Sequence, residues 1–432
     1  MLESHRPVEF AALVVPGTDV PLHVLLETIA SSGIEGAELY LKGVTSRHAA
    51  AGLRDAANVL RANAEPADES LLPFVPPLAV ELGAGLADTI MNDEAARTRF
   101  DDMINLVRRG MFEETGILLP GIRIRTLGPG HPSRAYTLKV FEIPVMTRMV
   151  PREQCLTNAP GVWLSERDVT TTAEMMGPLV FHWVDRNLSE QLDAEGFHVW
   201  QDHACVILAL SWELRRHLHR FLGIQEVRAM MSQLSSAFPD LVAEVIPARL
   251  KIGQLRDVLQ CLAREGVSIR DMRAVLEALA TAQLGPEPCL LAETVRAALR
   301  DRITYSIIRD TAEPCALVIS EEVEEVLRGA VVADNAGRKS LQLAPAMRDQ
   351  IQRGLNKALL AAPANWRTII LAPPTIRRFL PELLEELGID ALTVSPRDLL
   401  PTFKLNTLAL IQLENVPAAG GPPVDEAGSI NP

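Results

Sequence analysis

The spacing of apolar residues along the chain switches repeatedly between a period near two and one near 3.6, and each switch marks an element. Residues 8–15 form a short strand-like run stopped by Pro16-Gly17, after which Leu22, Leu25, Leu26 and Ile29 recur at helical spacing up to Gly33. A second helix is expected over 46–62, and the polar stretch 64–69 reads as a linker. Residues 78–82 then alternate like a strand and stop at Gly83. Phe100, Met103, Ile104, Val107 and Met111 line one helix face that ends at Gly116. Residues 120–125 and 136–145 read as two further strands, joined by a hairpin turn at Gly128-Pro129-Gly130-His131-Pro132.

Residues 152–201 are patchier, with strands expected at 162–164 and 179–184, a helix over 185–195 closed by Gly196, and a strand at 197–200. Helical periodicity dominates from Val206 to Arg302. Leu210, Leu214, Leu218 and Phe221 mark one face, Val227, Met230, Met231 and Leu234 the next, and Leu255, Val258, Leu259 and Leu262 a third, stopped by Gly266. Ser268 and Asp271 are spaced as a capping box that opens a helix through Met272, Val275, Leu276 and Leu279. From 303 to 416 strands and helices alternate: a strand at 316–319 runs into the N-cap Ser320-Glu321-Glu322, a strand at 368–371 precedes a helix over 376–387 ended by Gly388, and strands follow at 392–394 and 407–413. The Pro, Gly and Ala-rich tail from Pro417 is expected to be disordered.

Composition narrows the class. With 48% hydrophobic residues but only 4% aromatic ones, the chain favours helices and mixed layers over a β-sandwich, which makes α+β the expected class. A formal net charge of −13 argues against nucleic-acid partners and against adhesion to anionic lipid. Apolar runs such as 10–15 and 205–210 fall far short of the roughly 20 residues that span a bilayer. The N-terminus has no secretory pattern, so a cytoplasmic location is expected. Cys155, Cys205, Cys261, Cys289 and Cys315 form no C-x-x-C pair and read as reduced, small core residues.

Candidate chemistry is thin. No Walker loop, G-x-S-x-G elbow or H-E-x-x-H string occurs. His217 and His219 stand two apart on a helix, a spacing that points them in different directions, and with Arg215, Arg216 and Arg220 they read as a solvated basic face, or else as a partner-binding stripe. Asp101 and Asp102, like Glu321 and Glu322, are read as helix-start carboxylates. Met175-Met176 and Met230-Met231 read as core filler before they read as adaptable interface. The expectation is a protein that is not an enzyme and needs no cofactor and no metal.

One stretch carries more. Residues 266–279 (GVSIRDMRAVLEAL) resemble the cytosolic domain of the type III secretion export-gate family, which has flagellar and injectisome branches. Leu222-Gly223-Ile224-Gln225-Glu226-Val227, Phe238-Pro239-Asp240-Leu241-Val242 and Val258-Leu259-Gln260-Cys261-Leu262 are similar to three other blocks of that family, in order and at compatible spacing. Residues 78–86, 116–125 and the run Arg377-Arg378-Phe379-Leu380 extend the likeness to about 72–416, leaving 1–70 without a family.

The resemblance implies four subdomains: the first at 72–152 plus 202–221, the second an insert at 153–201, the third a helical ring builder at 222–301, and the fourth an α/β unit at 302–416. A small α/β unit would precede them at 1–70, and the tail would cover 417–432. It implies a nine-membered ring whose cleft receives chaperone–substrate complexes, with the chain itself, chaperones, substrates and other export-apparatus proteins as partners. The chaperone dimple of flagellar members falls by register at Glu174, at Gly177 or Met176, and at Leu208. The acid is kept, the aromatic and the hydroxyl are not, and Leu208 with Leu210 looks like the injectisome version. Gln225, Glu226, Arg270, Asp271 and Arg273 are the implied ring contacts. The membrane-spanning half that precedes this domain in the family is not in the sequence, so the chain reads as a portion of a longer protein on the cytosolic face of the inner membrane, or as a free-standing regulatory or scaffolding relative with a degenerate gate domain. An enzyme built on the last α/β region is a third reading, motivated by alternation alone.

Overall fold

A computed structural model describes residues 75–414, apart from 93, 177–178, 284, 286, 310–313, 335–338 and 362–367. The elements expected before residue 75 and the expected disordered tail lie outside the described residues. Three four-stranded sheets and a run of helices make an α+β fold, as the composition and spacing indicated.

The first sheet has the order β2-β1-β3-β4, built from β1 (Leu78–Leu82), β2 (Arg123–Thr126), β3 (Ala135–Val140) and β4 (Ile143–Met149). β1 pairs parallel with β2 and antiparallel with β3. The helices α1 (Ala84–Met91) and α2 (Glu94–Thr115) follow β1. Two expectations fail here. The turn 128–132 is not a hairpin, because β1 lies between the strands it connects. The single strand expected at 136–145 is two strands, bent at Phe141 and Glu142 with φ of 51° and 62°. Neither residue advertises a left-handed turn. Phe141 is held there by stacking on Phe221 at 6.0 Å. Asp101 and Asp102 also fall well inside α2 and not at its start.

The second sheet runs β6-β7-β5-β8, all antiparallel: β5 (Gln154–Thr157), β6 (Thr172–Met176), β7 (Leu179–Asp185) and β8 (Val199–Trp200). Within it, 162–164 belongs to a short helix, α3 (Gly161–Ser165), and not to a strand; Pro160 precedes it and buried Leu164 pins it. A further helix, α4 (Ser189–Ala194), ends at Gly196 with φ +85°. Asp202 stands where the chain leaves this sheet, and its two carboxylate oxygens take Arg134 and Arg186. Burial pushes its carboxyl up, but those two arginines outweigh it and hold the pKa below the usual range.

The helical run comprises α5 (His203–His217), α6 (Ile224–Ala237), α7 (Pro239–Val245), α8 (Ile252–Arg264), α9 (Met272–Thr281), α10 (Pro288–Ala298) and α11 (Arg300–Ile308). On α8 the buried Leu255, Val258, Leu259 and Leu262 form the stripe expected from the spacing. The capping box at Ser268 does not form. Asp271 is the N-cap of α9, accepting from the Ala274 amide at 3.1 Å. Ser268 is committed elsewhere, to the far end of α2, where its hydroxyl donates to the Glu114 carbonyl at 2.7 Å. The Ile269 amide donates to the Thr115 carbonyl at 2.9 Å, and the Arg270 guanidinium to the Glu113 carbonyl at 2.6 Å. A helix leaves its last four carbonyls without intrahelical partners. Three consecutive ones are satisfied here by a segment over 150 residues away in sequence.

The last sheet is wholly parallel, in the order β13-β12-β9-β14: β9 (Cys315–Ile319), β12 (Ile369–Leu371), β13 (Leu392–Val394) and β14 (Asn406–Ile411). Around it lie α12 (Glu321–Gly329), the hairpin β10 (Val331–Ala333) and β11 (Lys339–Leu341), α13 (Pro345–Leu359), α14 (Pro374–Arg377) and α15 (Leu380–Glu386). Ser320 caps α12 as its sequence suggested, accepting from the Val323 amide at 3.4 Å. The helix expected at 376–387 is broken at Phe379 into α14 and α15.

A buried ionic cluster fastens this sheet to the helices. Arg296 on α10 and Arg377 at the end of α14 are both fully buried. Arg296 donates to Asp398 Oδ1 and Oδ2 at 3.2 and 3.1 Å, to Glu265 Oε2 at 2.7 Å and to the Thr393 carbonyl at 2.9 Å. Arg377 donates to the same Glu265 oxygen at 2.8 Å and pairs with Glu293. The Ser395 amide and hydroxyl complete the shell of Asp398 at 2.7 and 3.0 Å. Buried charges are tolerated only when paired and hydrogen-bonded, and removing one partner from such a set typically costs about 3–5 kcal/mol.

Two outcomes follow from these contacts. Gly116 sits at φ +79°, and a Cβ there would lie 2.6 Å from the Arg270 backbone. Gly116→Ala should therefore destabilise the protein by about 2–4 kcal/mol, read from urea unfolding by circular dichroism. For Asp398, burial raises the pKa, but Arg296, the Ser395 amide and Arg377 together hold it below the usual carboxylate range. A carboxyl lowered on folding contributes stability that is complete above its unfolded value and drains away as pH falls through the folded one. The wild type should therefore lose stability more steeply than Asp398→Asn between about pH 5 and 3, measured by thermal melts across that range.

Candidate functional site

The register-implied cleft residues lie where the first two sheets approach each other. Glu174 on β6 is half-buried, accepts a hydrogen bond from Trp183 Nε1 on β7 at 3.2 Å, and is ion-paired with Arg148 on β4. Another Arg148 nitrogen donates to the Met175 carbonyl at 2.8 Å. Arg148 therefore links the edge strand of one sheet to the edge strand of the other. Met176 is buried, and with Met146, Arg148, Ala209, Trp212, Glu213, Arg216 and Asp390 it lines a cavity of about 70 Å³.

The structure thus brings Glu174 and Met176 together. Leu208 is half-buried on α5 and packs against the core; it is not among the side chains lining this cavity. Gly177 lies outside the described residues. Trp212, Arg216 and Asp390 also line a larger cleft of about 450 Å³, whose other walls include Leu179, Glu265 and Ala391. On the opposite face of the same two strands, the cross-strand pair Met175 and Val180 is 54% and 42% exposed, on β6 and β7.

The histidines do not share one solvated face. His217 meets Glu213 at 3.1 Å, and that carboxyl, pushed up by burial, is carried below its usual range by His217 and Arg216. His219 turns inward, where burial, then Arg264 and His217, lowers its pKa to about 4. Arg215 is committed to Glu114 at 3.1 Å. Of the two methionine pairs, Met176 and Met231 are core, whereas Met175 is exposed.

Sequence reasoning did not find Arg148, Trp212 or Asp390. No local pattern marks them, because their meeting depends on sheet packing across more than 200 residues.

The implied ring residues divide into two groups. Gln225 and Glu226 are exposed at the start of α6, a 14-residue helix roughly 20 Å long. Arg273 is exposed near its other end, 5.3 Å over the Phe238 ring and 2.8 Å from Glu277. Arg270 and Asp271 are engaged within the chain, on Glu113 and as the cap of α9. Among the described residues no cluster of His, Cys, Asp and Glu could hold a metal ion, and no helix is long and apolar enough to cross a membrane.

Comparison with known proteins now places this geometry. The probable translocation protein y4yR of Sinorhizobium fredii is 28% identical over 441 residues, covering 97% of this chain and 58% of that protein. The chain spans about half the length of the curated relatives it matches. Chlamydia pneumoniae CdsV, solved alone and in complex with CdsO, is 28% identical; the two structures cover 79% and 80% of this chain and 99% and 100% of theirs, with TM-scores of 0.70 and 0.71. The nonameric EPEC SctV-C has the same fold, with a TM-score of 0.61 at 20% identity over 79% of this chain and 100% of that one. The FHIPEP family model matches residues 11–404, so it reaches well into the region before 72 where no family had been discerned. The chain belongs to the FHIPEP family, and its described part is the fold of a type III export-gate cytosolic domain.

Proposed function

We propose that this chain forms the cytosolic docking ring of a type III protein export gate and acts by binding proteins, without bond-making chemistry. Family membership across residues 11–404 carries the reading. CdsV has been captured with CdsO, and SctV-C is nonameric, which supports self-association and export-apparatus partners for this chain as well. The ring would sit at the cytosolic face of the inner membrane, under the membrane-spanning half that the resemblance assigns to the family.

The helical run is the region this reading assigns to ring closure. A head-to-tail interface needs two different, complementary patches on opposite sides of one subunit. Gln225 and Glu226 stand at one end of α6 and Arg273, ion-paired with Glu277, at the other, so each copy offers two chemically different ends. Among the described residues, the perturbed carboxyls Asp202, Glu287 and Asp398 are each paired with arginines from other elements and Glu213 with His217 and Arg216 of its own helix, so ion pairing accounts for them without acid–base work.

Docking is assigned to β6, the edge strand next to the cleft. This strand pairs on one side only within its sheet, and on the face opposite the Glu174–Arg148 pair it offers Met175, which with its cross-strand neighbour Val180 is exposed. An extended segment arriving there could add a strand, with main-chain bonds giving affinity and the apolar side chains giving selection.

Two measurements test the reading. In analytical ultracentrifugation the wild type should assemble with rising concentration; Glu226→Arg and Arg273→Glu should each need at least about tenfold more protein, and the double variant should recover, since a swapped pair restores opposite charges across a head-to-tail contact. Single variants that assemble like the wild type, or a wild type monomeric at high concentration, would overturn the ring. Val180→Asp should weaken binding of a secretion chaperone–substrate complex from the same system by about tenfold or more while leaving assembly unchanged. Undiminished binding would remove docking from this face of β6 and β7.

A further inference from the structure

Of the five cysteines, two meet. Cys261 lies half-buried on α8, and Cys289 is exposed at the second position of α10, a helix packed directly against α8. Their thiols interact directly across the helix contact, and of the two it is Cys289 whose ionisation is favoured. The sequence interval hid this, because 28 residues and a third helix separate them. Cys155 and Cys205, by contrast, are buried and fit the expectation of small core residues.

We propose that Cys261 and Cys289 are a dithiol modification site, converted to an intrachain disulfide by low-molecular-weight disulfides of the glutathione type. Cys289 is the attacking group. It is solvent-accessible, and it lies in the first turn of α10, where the helix end favours a thiolate. The interaction with Cys261 lowers its pKa and outweighs the opposing effect of burial, whereas the pKa of Cys261 is raised.

The Cys289 thiolate displaces one thiolate from the small disulfide and forms a mixed disulfide. Cys261 then loses its proton, attacks the Cys289 sulfur and expels the second thiolate. The balance is two protein thiols and one small disulfide giving one intrachain disulfide and two small thiols.

The place gives the bond a consequence. Glu265 lies one turn after Cys261 on α8, and Glu293 one turn after Cys289 on α10; both carboxylates are paired with Arg377. Closing the disulfide would staple the two helices that present these carboxylates to the parallel sheet. Oxidation would therefore rigidify the joint between the helical run and that sheet.

The test treats the purified full chain with oxidised glutathione, followed by mass spectrometry, thiol alkylation and non-reducing peptide mapping. The expected result is the loss of two hydrogens, with two of the five thiols becoming unreactive to alkylation, a crosslinked peptide pair containing residues 261 and 289, and full reversal by dithiothreitol. Cys261→Ser should instead stop at the mixed disulfide on Cys289, with the glutathione adduct retained. Slower hydrogen exchange in α8 and α10 after oxidation is expected in the wild type and not in Cys261→Ser. The proposal is overturned if all five thiols stay alkylatable, if the bond links a different pair, or if Cys261→Ser carries no adduct on Cys289.

Discussion

Two arginines without solvent contact decide how this molecule is held together. Arg296 and Arg377 share a single oxygen of Glu265, and around them Asp398, Glu293 and the Thr393 carbonyl complete a set of acceptors drawn from α8, α10, β13 and the segment after it. Guanidinium suits the position because its planar fork reaches several acceptors at once, which a lysine ammonium cannot do in the same geometry. The desolvation of so many charges makes the cluster a poor source of net stability and a strong source of specificity. Any other placement of the parallel sheet against the helices would strand these charges in a medium that cannot solvate them.

The other joints in the chain use the same device with fewer charges. Asp202 gathers Arg134 and Arg186 where the second sheet returns to α5. Arg148 ties the edges of the first two sheets through Glu174 and the Met175 carbonyl. Apolar packing fills each layer, but polar contacts of this kind set the angle at which the layers meet. A binding surface made where layers meet inherits its shape from them, which is the sense in which the docking cleft depends on residues that touch no partner.

Much of the fold was legible in local pattern. The α8 stripe, the β13 span and the Ser320 cap follow from periodicity and from side chains that act within one turn. What could not be read depends on distant residues. Phe141 and Glu142 bend backward because Phe221 is there to receive the ring, not because their own chemistry asks for it. Ser268 looked like a cap and is instead a donor to another helix, since a hydroxyl satisfies whichever orphan group the tertiary fold brings near. The candidate cleft shows the same division. Glu174 and Met176 were reachable through family register, whereas Arg148, Trp212 and Asp390 join them only in three dimensions, and Leu208, one turn before Trp212, packs into the core. Arg377 stood in a recognisable motif, yet nothing nearby said that its charge would be wholly enclosed.

The end of α2 carries an implication for how this architecture can be cut and recombined. Its closing carbonyls are completed by Ser268, Ile269 and Arg270, and Gly116 lets that segment pass with no side chain in the way. The stretch preceding the helical run is thus not a self-sufficient module: isolated, it ends in a frayed turn. A chimera that borrows the helical run from one family member and the first sheet from another should inherit residues 113–117 and 266–271 as one unit.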